Sequence, residues 1–196
     1  MTEPLTGVVV ALTEAPFDDL IGVVEVLVQE GLATLSFPAA EPGLESWVNI
    51  YGSRARIGVH GVRTPQQAAE AVAVGASFVL SDVADADLLA ACGDAAVYPM
   101  AMTPDEIRRV LDLPVAGAQV FPADVLGPSF AEAVASLGLA ERCLPRHALG
   151  AYAIERWFKA GARAAVADAN LLGDALDDGD LAALRDRCGS FASLSG

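Results

Sequence analysis

Nine polar residues stand at or close to the ends of short apolar runs: Ser36, His60, Asp82, Tyr98, Gln119, Arg146, His147, Asp168 and Asn170. Two imidazoles and a carboxylate can hold a divalent cation with open positions. His60 and His147 share no ligand spacing with Asp82 or Asp168, however, so we assign no metal and no cofactor. Arg146 beside His147 joins a permanent cation to a titratable one; the pair suits an anion, but a solvated loop after the seventh strand is the simpler reading. Gln119 interrupts the run from Val115 to Phe121, which otherwise reads as a buried strand. An amide is no nucleophile, and a buried amide must satisfy its donors and acceptor. Cys92, Cys143 and Cys188 lack paired spacing and read as reduced packing residues.

These residues need a frame. β-prone apolar runs recur at Val8–Leu12, Ala33–Phe37, Arg56–Val59, Ser77–Leu80, Ala95–Tyr98, Ala118–Phe121, Arg142–Leu144 and Ala164–Val166. Between them, apolar residues such as Leu20, Val23, Val24, Leu27 and Val28 recur at helical spacing. Thr64-Pro65 and Thr103-Pro104 are capped helix starts, and Gly31, Gly75 and Gly161 mark helix ends. Glu45 to Arg54 reads as a further helix, and the tail as a helix over Leu181 to Arg187 with a frayed end. The acidic run from Asp174 to Asp180 reads as a solvated turn before it. Eight alternating units with strands apolar on both faces predict an α/β fold, a compact (β/α)8 barrel; an open doubly wound sheet is the alternative. With no linker-like tract, residues 1–196 read as a single domain. In such a barrel the nine residues gather at the C-terminal ends of the strands.

Of 196 residues 54% are hydrophobic, and 26 acidic against 12 basic residues give a net charge of −14. That charge repels a phosphate backbone and excludes nucleic acid as a partner. The stretch Gly7–Leu12 is too short for a signal peptide or a membrane span, so we expect a cytoplasmic protein with no membrane partner.

The order of several segments carries a resemblance. VVVAL opens the first strand, LVQEGLATL leads into the second, TPQQAAEAVAVGASFVLS spans the third helix and fourth strand, YPMAMTPDEI follows the fifth, and QVFPAD forms the sixth. From about Val8 to Leu172 the chain resembles the 2-keto-3-deoxy-6-phosphogluconate (KDPG) and 4-hydroxy-2-oxoglutarate aldolases. The resemblance implies a compact (β/α)8 barrel, commonly a trimer, that makes or breaks a carbon–carbon bond beside a 2-oxo acid through a lysine Schiff base.

Carried over residue by residue, that chemistry is missing. The lysine position is Gln119, which cannot form an iminium, and the only lysine is Lys159, on a helix before the last strand. The acid/base glutamate aligns with Ser36, a hydroxyl without an adjacent base; the arginines of the first two strands align with Thr13 and Ala40. The phosphate-binding glycine turns align with Pro145–Ala148 and Ala167–Ala169, where Asp168 opposes a phosphate. The third strand's GAGT is Gly58–Gly61, the fourth strand's SPG is Ser81–Val83, and Asp124 matches the family's FPAE carboxylate, with capping of the following helix as its simplest role here. Pro99, Thr103, Pro104, Phe121 and Pro122 are retained.

Two readings follow. The first is a barrel without Schiff-base chemistry that binds a small 2-oxo acid or other anionic metabolite, or serves in assembly. The second is a lyase or isomerase of altered, metal-assisted mechanism drawing on His60, Asp82, His147 or Asp168. Trp47, Tyr51 and Trp157 read as core or subunit-contact residues, with Trp47 and Trp157 as exposed contacts of a homotrimer.

Overall fold

A computed structural model of the chain describes residues 3–127, 129–176 and 179–194. Among these, eight parallel strands alternate with helices: β1 Gly7–Ala11, β2 Thr34–Pro38, β3 Arg56–Val62, β4 Phe78–Ser81, β5 Ala96–Ala101, β6 Ala118–Val120, β7 Cys143–Pro145 and β8 Ala164–Ala167. The helices are α1 Phe17–Gln29, α2 Leu44–Tyr51, α3 Pro65–Ala73, α4 Ala86–Ala91, α5 Pro104–Leu111, α6 Ser129–Ser136, α7 Ala151–Lys159, α8 Ala169–Leu172 and α9 Leu181–Ala192. Neighbouring strands pair in sequence order, with β8 joined to β1. The result is a compact (β/α)8 barrel whose last hydrogen-bonded ladder, between β7 and β8, is not formed.

Strand alternation sorts the side chains into two sets. Val8, Val10, Leu35, Phe37, Ile57 and Val59 face outward and pack under the helices. Val9, Ala11, Phe78, Leu80, Ala96, Tyr98, Leu144 and Val166 fill the barrel. Two glycines make that filling possible: a Cβ on Gly58 would lie 2.4 Å from the Phe78 carbonyl oxygen, and one on Gly117 2.8 Å from the Tyr98 ring.

Thr64 and Thr103 each form a full capping box with the residue three positions on, Gln67 and Glu106. Gly31, Gly75 and Gly161 take positive φ where their helices end. Pairing in the sixth strand is confined to Ala118–Val120, between Gly117 and Pro122. The tail helix runs past Arg187 to Ala192, because Cys188 and Phe191 are buried and extend its apolar face. Asp180 caps it; Asp177 and Asp178 of the acidic run lie outside the described residues.

Trp47 is 0% exposed and packs among Phe17, Phe37 and Tyr51, and Trp157 is 1% exposed against Phe130. Both are core residues. The expectation that they form exposed subunit contacts is therefore wrong: period-3.6 spacing gives the apolar face of a helix, and that face turns to the strands. Lys159 sits on the outer layer, paired with Glu155 at 2.7 Å. Burial pushes the thiols of Cys92 and Cys188 up to about 11 and that of Cys143 to about 12, which keeps them protonated and unreactive. Among the described residues no helix is long and apolar enough to cross a membrane.

Candidate functional site

At the C-terminal ends of the strands lies an open cavity of about 780 Å³, lined among others by Leu12, Thr13, Pro38, His60, Asp82, Met100, Phe121 and Arg146. Ser36 and Gln119 lie beneath it, both 0% exposed. Ser36, His60 and Gln119 enter the barrel by the same period-2 logic. Ser36 follows outward-facing Leu35, and His60 follows outward-facing Val59 two positions after Gly58. Directly after His60 the strand bulges at Gly61, at φ 73°, and its register against β4 shifts.

The amide of Gln119 is saturated. Its nitrogen donates to the carbonyls of Ser81 at 2.9 Å and Tyr98 at 2.7 Å, and its Oε1 accepts from Arg146 Nη1 at 3.1 Å. It therefore ties β4, β5 and β6 together and anchors the guanidinium above. Arg146 also lies over the Phe121 ring, 5.7 Å from its centroid. Burial pulls its pKa down, and the charges of Asp82 and Asp168 oppose that shift. It is the cation at the centre of the mouth, beside the position the resemblance gives to lysine.

Ser36 Oγ and His60 Nδ1 are 3.0 Å apart. The hydroxyl that the sequence leaves without a neighbour thus has an imidazole partner from the adjacent strand, though one too weakly basic to take the place of a carboxylate. Burial, then the Arg146 charge, push the His60 pKa down to about 3, against a smaller opposing contribution from the Ser36 backbone. His60 is thus uncharged at neutral pH.

Asp168 and Asn170 share one turn with the loop after β7. Both carboxylate oxygens of Asp168 accept from the Ala148 N–H, at 3.0 and 3.2 Å, and the Asn170 amide donates to the Ala148 carbonyl. His147 and Ala148 hold φ values of 92° and 50°, a backbone that glycine adopts freely and these residues do not. An internal carboxylate thus occupies an amide of the turn that the resemblance assigns to phosphate.

Two placements differ from the sequence-based expectation. Tyr98 points to the opposite end of the barrel, where its hydroxyl accepts from the Leu5 N–H at 2.7 Å. It borders a separate cavity of about 350 Å³ with Leu5, Cys143 and Ala164. His147 is half exposed outside the mouth cavity, its ring 5.1 Å from that of Phe121 and its Nε2 4.0 Å from Asp124, whose carboxylate faces it from a 3₁₀ turn. Asp82 is at the mouth but is held by Arg63 Nε at 2.8 Å. Arg63, which sequence reasoning missed, lines the same cavity. Among the described residues no three His, Cys, Asp or Glu side chains converge as a metal site.

Comparisons agree with this architecture. The family model for KDPG and KHG aldolase matches residues 4–186. A solved 4-hydroxy-2-oxoglutarate/2-dehydro-3-deoxyphosphogluconate aldolase is 25% identical, with 96% of this chain and 94% of that chain covered and a TM-score of 0.79. The KDPG aldolase of Legionella pneumophila, solved with pyruvate captured as a covalent carbinolamine, is 19% identical over 97% and 95% at a TM-score of 0.78. That of Zymomonas mobilis is 20% identical over 97% and 94%, also at 0.78. No curated protein matches the chain. With nearly its whole length matched and its barrel superposing on theirs, the chain belongs to the KDPG and KHG aldolase family.

Proposed function

We propose that this family member binds a small, unphosphorylated carboxylate such as a 2-oxo acid at the barrel mouth, on Arg146, without Schiff-base chemistry. The observation that carries the reading is the hydrogen bond from Arg146 to Gln119. It fixes a guanidinium, whose remaining N–H groups match a carboxylate's geometry, at the floor of an open cavity. Asp168 supports the exclusion of phosphate, because its carboxylate already takes the Ala148 N–H. Titration calorimetry with pyruvate and 2-oxoglutarate tests the reading: binding is expected in the native protein and lost in Arg146→Met. Borohydride treatment with pyruvate should leave the protein mass unchanged; a reduced adduct would overturn the non-covalent part.

His60 favours a second reading, in which the neutral ring, held by Ser36, donates a hydrogen bond to the carbonyl of the bound acid and promotes its enolisation or cleavage without a metal. Exchange of the pyruvate methyl protons in deuterium oxide, followed by NMR and abolished by His60→Phe, would establish it. We also propose a cytoplasmic, single-domain homotrimer. Exposed apolar side chains at the mouth end, Val125 at 64% and Tyr152 at 66%, supply candidate contacts, and sedimentation velocity would measure the assembly.

A further inference from the structure

The Ser36 hydroxyl is fully buried inside the barrel, and among the described residues its one hydrogen-bond partner is His60 Nδ1. Two tautomers of the ring are possible in principle. If Nδ1 carried the proton, Ser36 would accept it and its own O–H would be left inside the protein without an acceptor, at the desolvation cost of a buried donor. If Ser36 donates to Nδ1, both groups are satisfied and the ring proton lies on Nε2. His60 lines the mouth cavity together with Arg146, so both groups face the same bound molecule.

Resting on the reading of Arg146 as the carboxylate site, we infer that Ser36 fixes His60 as an Nε2–H donor, and that this donor selects carboxylates carrying an uncharged oxygen close to the carboxylate. A hydroxyl or keto oxygen accepts from Nε2–H. A methylene leaves that donor facing nothing, and an ammonium meets both a donor and the Arg146 charge. The site therefore discriminates 2-oxo and 2-hydroxy acids from plain carboxylic and 2-amino acids. His60 is the specificity-determining residue, and Ser36 is a positioning residue that acts through it. Neither role follows from the positions these residues hold in the aligned motifs, which place a glutamate at Ser36.

The test uses four probes on the whole chain at neutral pH: pyruvate, lactate, propionate and alanine, by titration calorimetry. Pyruvate and lactate should bind about tenfold or more tighter than propionate and alanine, the usual penalty for a polar site left unpaired. In His60→Phe both should fall to the affinity of propionate, and propionate itself should not change. In His60→Gln, which keeps an N–H donor, part of the preference should return. Long-range nitrogen–proton NMR of the native protein should show the proton on Nε2, and Ser36→Ala should redistribute it and weaken the preference. A retained preference in His60→Phe, or an Nδ1–H tautomer in the native protein, overturns this inference while leaving Arg146 as the anion site. Unchanged propionate binding in Arg146→Met overturns the underlying reading instead, and absence of binding by all four acids overturns both.

Discussion

Gln119 is the residue around which the mouth is built, and its chemistry is that of a clamp. Leucine has nearly its volume but none of its hydrogen bonds. Gln119→Leu would leave the Ser81 and Tyr98 carbonyls without their side-chain donor and Arg146 without its acceptor. We expect a loss of about 2 kcal/mol in denaturant unfolding, the cost of buried partners left unmade. A change under about 0.5 kcal/mol would show that the amide is not structural. His60 gives a pH signature. Its folded pKa, about 3, lies below the ordinary 6.5, so the unfolded chain binds the extra proton between those values. Stability is thus fully present above pH 6.5 and declines as pH falls toward 3. From pH 7 to pH 5 the decline attributable to His60 should be about 2 kcal/mol. It is measured as the difference in pH slope between the native protein and His60→Phe, and equal slopes would refute it.

Elements were more legible than their contents. Apolar runs bounded by capped threonine-proline starts and glycine ends located every strand and most helices, because those signals are local. Tyr98 is out of place for the sequence because the apolar run Ala95–Tyr98 predicts a strand that ends there. It continues to Ala101, which puts Tyr98 in mid-strand, and Gly117 next door opens the space into which the ring descends. The pairing of Ser36 with His60 was invisible for the opposite reason, since it depends on the register of β2 against β3, in which Ser36 stands beside Gly58 and Pro38 beside His60. The turn after β7 has a backbone suited to glycine at two residues that are not glycine. Ala148 at φ 50° carries strain that glycine would not, although glycine costs more entropy in the unfolded chain. Ala148→Gly keeps the N–H that Asp168 accepts, so we expect a gain of about 0.5–1 kcal/mol, seen as a rise of roughly 2 °C in melting temperature. A fall in melting temperature would mean that the turn is relaxed as it stands.

At the scale of the molecule, the alternation of eight units implied a barrel, yet nothing in the sequence indicated where its closure would be weakest. β7 and β8 share no ladder, and each of them is hydrogen-bonded on one side only. The seam is instead fastened by side chains at both ends. Glu141 and Arg163 pair below it, and above it Asp168 and Asn170 grip the two polar groups of Ala148. Asp168, on the proposed reading the residue that opposes a phosphate here, therefore also helps to close the barrel. Asp168→Ala should cost about 2 kcal/mol, as the loss of a charge-assisted bond to a backbone donor. More tellingly, the cost should be local. By hydrogen exchange, amides from Cys143 to Leu149 and along β8 should lose protection before those of β2, β3 and β4, which are paired with a neighbouring strand on both sides. Uniform loss of protection around the barrel would mean that the seam opens only with global unfolding, and that Asp168 contributes to stability without governing closure.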